Sequence, residues 1–170
     1  MVRQLALGTT LIFLLCGCAG SGGGQVEEAP PSSSLLADGT RVAHVRVIEG
    51  TGFDDEQRKV IADYQALERL ESEVVLALQK QSGYDASGTL SVDVVLDGFR
   101  LRSNAASLWL GSMAGADSVA ASVSVRRGDD VLKSFRTDTS SIMGGIAYTG
   151  RTVRLNRLVV ELAKRITAGL

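Results

Sequence analysis

The sequence predicts an α+β domain: a two-layer sandwich in which a mostly antiparallel sheet packs against two helices, in the order β-α-β-β-β-α. Several segments alternate apolar and polar residues with the period of a strand. Two longer segments repeat apolar residues every three to four positions, as amphipathic helices do. Because strand alternation leaves one face of a sheet in water, it favours antiparallel pairing with both helices on the other face.

The first half of the domain is predicted as one strand followed by one long helix. The strand covers 41–48, where β-branched residues alternate (RVAHVRVI), and Gly50 ends it. Asp54 or Asp55 is expected to cap the helix, since acidic residues suit the positive end of its dipole. Gly83 is expected to cap its other end. The buried stripe of this helix is predicted to hold Val60, Tyr64, Leu67, Val74 and Leu78.

The second half is predicted as three strands and a closing helix. The strands cover 89–101, 118–125 and 131–137, and the turn at 127–130 makes the last two a hairpin. The closing helix runs over 152–168, with arginines and lysines on its wet side, Arg154 among them. Its apolar positions are Val153, Leu155, Leu158, Val159, Leu162 and Ile166.

The amino terminus has the layout of a secretory signal. Arg3 gives it a basic start, and residues 5–15 form an apolar run too short to span a bilayer. The ending Leu15-Cys16-Gly17-Cys18 resembles the lipobox of bacterial lipoproteins. That resemblance implies cleavage after Gly17, a thioether-linked diacylglycerol on Cys18 and an N-acyl chain such as palmitate. An ordinary signal peptide or an uncleaved anchor are the alternatives.

The expected processing fixes the chemistry of the mature chain. Cys16 leaves with the signal and Cys18 is acylated, so the domain keeps no thiol for a disulfide, a metal site or a nucleophile. Two or three acyl chains hold a protein on a membrane stably, whereas one does not. Ala19 is the second mature residue. By the sorting rule of enteric lipoproteins, this implies the outer membrane, with the domain facing the periplasm.

The chain divides into three parts. Residues 1–17 are the predicted signal peptide, 18–39 the lipidated cysteine with a Gly/Ser/Pro tether, and 40–170 a single periplasmic domain. A tether of this composition spans about 25 Å as a random coil. The formal net charge of −1 gives no indication of nucleic-acid binding.

Residues that could carry catalysis are few, and we expect no enzyme, no metal and no cofactor beyond the covalent lipid. His44 is the only histidine, and its place in an alternating strand indicates a surface residue. Asp54 and Asp55 are explained as helix-start residues, and Asp93 and Asp97 belong to a strand. No Gly-x-Ser-x-Gly elbow and no phosphate-binding loop occurs.

The segment between the second and third strands is unusually apolar for a loop. It carries Leu108, Trp109, Leu110 and Met113 among small residues. One interpretation is a lid over the open end of the core. A second is a contact surface for a partner or ligand, with Trp109 as anchor, because tryptophan dominates binding hot spots. A third is a loop that dips into the membrane.

The second half of the chain resembles a family of uncharacterised bacterial lipoproteins, a domain of unknown function with a Gly/Ala-rich loop before a hairpin. The resemblance rests on Arg100-Leu101-Arg102, the stretch 110–118, the Gly144-Gly145 break and the closing helix. More loosely, the layout is similar to the amino-terminal domain of TolB. These resemblances imply a periplasmic fold that acts by binding partners, and they carry over no catalytic residue.

Two functions follow as hypotheses. The first is a lipid-anchored, non-catalytic adaptor or accessory factor that binds a protein of an envelope machine. The second is a carrier that binds lipid or another apolar ligand for a transport system, with Trp109 and Met113 lining a pocket between sheet and helices. The sequence predicts neither the identity of the partner nor the oligomeric state.

Overall fold

A computed structural model of the chain describes residues 34–36, 39–104, 115–141 and 150–170. The predicted signal, most of the tether and two segments within the domain lie outside this description. Seven elements follow one another: β1 (Val42–Glu49), α1 (Asp55–Asp63), α2 (Ala66–Lys80), β2 (Leu90–Arg100), β3 (Asp117–Arg127), β4 (Asp130–Ser141) and α3 (Arg151–Ala168).

The four strands form one sheet in the order β1-β2-β3-β4. β2, β3 and β4 pair in antiparallel fashion, whereas β1 is parallel to β2. The parallel pair follows from the crossover, because α1 and α2 carry the chain back to the starting end of the sheet before β2 begins. The predicted α+β class with a mostly antiparallel sheet is confirmed.

The predicted long helix is wrong in one respect, because it is two helices, and the described residues therefore contain three. Gln65 stands between α1 and α2 in the left-handed conformation, with φ of 51°. The break lets each helix bury its own stripe: Ile61 in α1, then Leu70 and its i+4 neighbours in α2. Tyr64 and Leu67, predicted to be buried, pack against the core but stay half exposed.

The helix caps are partly as predicted. Asp54 caps α1 through a capping box, in which its carboxylate accepts from the Gln57 backbone N–H at 2.8 Å. At the end of α2 the left-handed residue is Ser82, with φ of 55°, and not Gly83. Gly83 instead donates its N–H to the Leu78 carbonyl at 2.8 Å. Its missing side chain leaves room for Leu36, whose Cδ1 would lie 3.0 Å from a Cβ there.

The core fills the space between the sheet and the helices. Strand residues Val92, Val94 and Leu96 face α3 and α2, and all three are essentially inaccessible to water. Leu155 and Leu162 of α3 are also fully buried. The other face of the sheet carries no helix among the described residues, which explains the alternation that the sequence showed.

Some backbone groups at each sheet edge are occupied by contacts from outside the sheet. On the β1 edge, Val42 bridges to Tyr84, and the Val47 N–H donates to the Glu71 carboxylate at 3.4 Å. On the β4 edge, the Arg165 guanidinium donates to the Asp138 carbonyl at 2.7 Å. These contacts occupy backbone groups that would otherwise be available to a strand of another chain.

The sandwich has two distinct ends, which we call the tether end and the loop end. At the tether end, the Leu35 N–H donates to the Leu170 carbonyl at 2.6 Å, so the chain enters the domain beside its own carboxyl terminus. The tether end holds 34–36, 83–90 and the β3–β4 turn at 128–129. The loop end holds 98–104, 115–118 and 150–154.

Candidate functional site

The loop end is where two segments leave the described fold and re-enter it. Residues 105–114 connect β2 to β3, and residues 142–149 connect β4 to α3. The four residues predicted to bind a partner or ligand belong to the first of these connections. Leu108, Trp109, Leu110 and Met113 therefore lie outside the described residues, as does Cys18.

A buried ionic cluster lies at the loop end, among the described residues that flank these two connections. The Asp117 carboxylate accepts from the Arg102 side chain at 3.3 and 3.4 Å and from Arg154 Nη1 at 2.8 Å. The three side chains are 1%, 3% and 4% exposed, respectively. Asp117 Oδ1 also accepts from the Arg102 backbone N–H at 2.8 Å. One carboxylate thus joins the end of β2, the start of β3 and the first turn of α3.

A backbone carbonyl completes the cluster. The Arg102 carbonyl oxygen accepts from Arg154 Nη2 at 2.8 Å and from Arg151 Nε at 3.1 Å. Two arginines therefore face one carboxylate, and the second guanidinium is also hydrogen-bonded to this carbonyl. Such a buried charge is retained only with partners of this kind, because an unpaired ion in the interior is very costly.

Sequence reasoning missed this cluster. Arg154 was predicted on the wet side of the last helix, but it is buried. A signal existed, because Arg154 lies four residues before Leu158 and hence on the apolar face. Arg102 and Asp117 entered the prediction only as part of a family resemblance, since no spacing in the sequence brings two strand ends together.

A shallow cleft of about 170 Å³ lies next to the cluster, between the start of α1 and the end of β2. Gln57 and Phe99 both line the cleft, and the Gln57 side-chain amide donates to the Phe99 carbonyl at 2.8 Å. Gly115 lies nearby with φ of 81°, and a Cβ there would come within 3.2 Å of the Arg100 guanidinium. The backbone conformation favours glycine at this position, whereas the Arg100 guanidinium is the end of a flexible side chain and can move aside.

The other candidate residues are far from the loop end or are paired. His44 is exposed on β1, as predicted for a surface histidine. Asp93 on the open sheet face pairs with Arg46 at 3.0 Å and with Arg126 at 3.3 Å. Among the described residues, no three His, Cys, Asp or Glu side chains are grouped closely enough to hold a metal ion.

No helix within the described ranges is both long enough and apolar enough to cross a membrane. The longest, α3, has arginines and lysines along its exposed side.

Comparison with known proteins gives similarity of fold only. No protein-family profile matches the sequence, and no curated protein matches it. Protein XCC0632 from Xanthomonas campestris, of family DUF330, superposes with a TM-score of 0.53 at 8% identity, over 76% of this chain and 82% of that one. A single-substitution variant of the PelC dodecamer from Paraburkholderia phytofirmans gives a TM-score of 0.51 at 13% identity, over 76% and 86%.

A minor lipoprotein from Acinetobacter baumannii is also similar, with a TM-score of 0.41 at 8% identity over 74% of this chain, a value too low to support a conclusion. The chain therefore shares its fold with PelC and with the DUF330 protein at low sequence identity. The predicted family resemblance is supported at this level. The looser likeness to TolB stays a prediction.

Proposed function

We propose that this protein is a lipid-anchored lipoprotein of the cell envelope that acts as a non-catalytic adaptor or accessory factor and contacts its partner through the loop end. The observation that carries the proposal is the buried cluster of Arg102, Asp117 and Arg154. It fixes the points at which the connections 105–114 and 142–149 leave the fold. A contact surface needs such a rigid base, because preorganisation lowers the entropy lost on binding.

The position of the tether supports the same assignment. Leu35 joins the domain at the tether end, whereas the two connections leave at the loop end. α3 runs from one end to the other, and its 18 residues measure about 27 Å. The tether thus joins the domain at the end opposite to the one from which the two connections leave. This arrangement favours a partner-binding role for the segment that carries Trp109 over a role in dipping into the membrane.

The anchor itself rests on the lipobox resemblance, with the outer membrane as the expected location. Cys18→Ser removes the acceptor of the diacylglycerol, so we expect the variant to fold normally and to leave the membrane fraction. Fractionation of cells that produce either form measures this. A membrane fraction that Cys18→Ser leaves unchanged would exclude the lipoprotein assignment.

The carrier hypothesis is the alternative. It required a pocket between sheet and helices, but this layer is filled by fully buried side chains such as Leu96, Leu158 and Leu162. The clefts that the structure describes lie outside it, at the helix surfaces and on the open sheet face. Native mass spectrometry of the purified protein tests the carrier function directly. A bound lipid of stoichiometric mass, besides the covalent anchor, would favour it over the adaptor.

Photo-crosslinking in cells tests the adaptor function. A photoreactive amino acid replaces Trp109 in the full-length protein, and the matched control carries it at Leu76, which is exposed on α2. We expect a discrete adduct with an envelope protein from position 109 and not from position 76. Adducts only within the chain, or only with lipid, would contradict a partner contact at this segment.

The partner can be another copy of the chain. The PelC protein with which this fold superposes is a dodecamer. Light scattering on the acylated protein in detergent gives the mass of the particle. A defined multiple of the monomer mass would show that the adaptor works as an assembly of its own copies.

A further inference from the structure

We propose that the tip of the β3–β4 hairpin is a second membrane contact, at which Val131 and Leu132 enter the lipid–water interface beneath the anchored domain. Val131 is 51% and Leu132 39% exposed. Among the large exposed apolar residues of the described chain, they alone are adjacent in sequence. This inference rests on the proposed lipid anchor, which brings the tether end to a membrane.

An irregularity of the strand pairing produces the exposed pair. Val125 pairs with Lys133 and Arg126 with Val131, so Leu132 is an extra residue in β4. In a regular strand, consecutive side chains point to opposite faces, and one of two apolar neighbours faces the core. A bulge changes the direction of a side chain in this way. Here neither Val131 nor Leu132 is buried.

The hairpin tip and the root of the tether lie at the same end of the sheet. Leu36 lies beside Gly83, whose carbonyl accepts from the Val42 N–H at 2.9 Å. Val42 is in register with Leu90 of β2, and the next residue along β2 is in register with Arg126 of β3. Four neighbouring strands span only about 15 Å, at roughly 4.8 Å between neighbours.

The length of the tether permits the contact. Sixteen residues lie between Cys18 and Leu35, and the Gly/Ser/Pro composition of this tether predicts an average reach of about 23 Å. The tether therefore keeps the tether end within contact range of the bilayer for much of the time. A chain this short raises the local concentration of the bilayer at the hairpin, so even a weak second contact is occupied.

The charges around the pair are compatible with a lipid surface. The segment 126–133 holds three basic residues, Arg126, Arg127 and Lys133, and two acidic ones in the turn, and Arg126 is paired with Asp93 at 3.3 Å. Basic side chains beside apolar ones at an interface favour anionic headgroups, at about 1 kcal/mol for each near the surface. The partner that fits the exposed apolar pair is thus a lipid bilayer.

A single fluorescent label tests the contact. The processed protein has no free thiol, so Leu132→Cys supplies a unique site for an environment-sensitive dye. The acylated variant is placed in vesicles of phosphatidylethanolamine and phosphatidylglycerol, with or without a brominated lipid as quencher. Val153→Cys, exposed at the loop end, is the matched control. We expect the brominated lipid to reduce the fluorescence at position 132 and to leave position 153 unchanged.

Three outcomes would overturn the inference. The first is the absence of quenching at 132, and the second is equal quenching at 132 and 153. The third is a signal at 132 that depends on the number of protein copies per vesicle and not on the lipid, which would assign the hairpin to a contact between copies. The anchor is tested separately, with the protein that has no added cysteine. That protein takes up no thiol label only if Cys18 is acylated and Cys16 has been removed.

Discussion

Asp117 is the residue that joins the most elements at the loop end. Its carboxylate is buried between two guanidinium groups. Replacing a buried ion cluster as a whole by apolar residues can be neutral, but removing its one anion leaves two cations unpaired. Such a change is expected to lower overall stability and to disturb the contact among the ends of β2, β3 and α3.

We expect Asp117→Ala to lower the free energy of unfolding by about 3–5 kcal/mol, because it leaves Arg102 and Arg154 buried without their counter-charge. Urea denaturation followed by circular dichroism measures the loss. Asp129→Ala in the exposed hairpin turn is the matched control and should change stability by less than about 0.5 kcal/mol. Equal midpoints for the two variants would mean that the cluster contributes nothing to stability.

Asp85 offers a prediction at the tether end. Its carboxylate accepts from the Ser87 hydroxyl at 2.7 Å and from the Ser87 N–H at 2.8 Å. The pKa of Asp85 is lowered below its ordinary value, most strongly by the Ser87 hydroxyl, and then by the Ser87 N–H and the charge of Arg41. A lowered carboxyl pKa stabilises the fold above the ordinary value, and this contribution is lost as pH falls through the folded-state pKa.

Ser87→Ala removes the hydroxyl, so we expect the pKa of Asp85 to rise towards its ordinary value while the backbone bond keeps part of the shift. Carbon-detected NMR titration of the carboxyl groups measures the change. The same variant should lose little stability at neutral pH, because Asp85 is exposed to solvent. A pKa of Asp85 that is identical in the two proteins would contradict the hydrogen bond from Ser87.

At the scale of elements, the two long helices differ in how deeply their stripes are buried. Leu162 of α3 is completely buried, whereas Leu67 of α2 is only half-buried. We therefore expect Leu162→Ala to cost about 2–5 kcal/mol and Leu67→Ala clearly less. Urea midpoints of both variants test the difference. A larger loss for Leu67→Ala would mean that the α2 stripe is centred on the residues first predicted from sequence.

The break between α1 and α2 gives another prediction. Gln65 adopts a left-handed backbone conformation, which costs a residue with a Cβ about 1–2 kcal/mol and costs glycine almost nothing. Gln65→Gly should therefore raise the free energy of unfolding by about 1 kcal/mol. Glu68→Gly, inside α2, is the control and should lower it by about 1 kcal/mol. Destabilisation by both changes would show one continuous helix in solution.

At the scale of the whole molecule, the entry of the tether is part of the fold. Leu35 and Leu36 pack against the core, and the Leu35 N–H binds the carboxyl-terminal residue. We expect a chain that begins at Thr40 to be about 1–3 kcal/mol less stable than one that begins at Ser34, because it loses this partly buried apolar area. Chemical denaturation of the two chains measures this. Identical stabilities would mean that the tether passes the domain without docking.

The two ends of the domain carry different features. The tether docks at one end with the exposed hairpin pair, and the ionic cluster fixes the other end, from which the connections emerge. The backbone groups occupied at both sheet edges act against the pairing of edge strands from two copies of the chain. We propose that the tether end of the lipid-anchored domain contacts the membrane and that the loop end contacts a partner.

Much of the fold could be predicted because it depends on local patterns. Alternation placed all four strands, and apolar repeats placed α3 and the end of α2, to within a few residues of their observed bounds. The capping box at Asp54 and the turn at Gly128 are also local, since each depends on neighbouring residues alone. The lipobox resemblance is local as well, and the prediction of an anchor needs no knowledge of the fold.

The tertiary structure alone decided the rest. The strand order, the parallel pairing of β1 with β2 and the burial of Arg154 depend on residues distant in sequence. The left-handed break at Gln65 lies inside a helical pattern, and only packing of two separate stripes on one sheet explains it. A sequence determines which side chains favour the interior and which residues can cap a helix. Which charges meet there is decided by the ends of strands and helices, because only the fold brings these ends together.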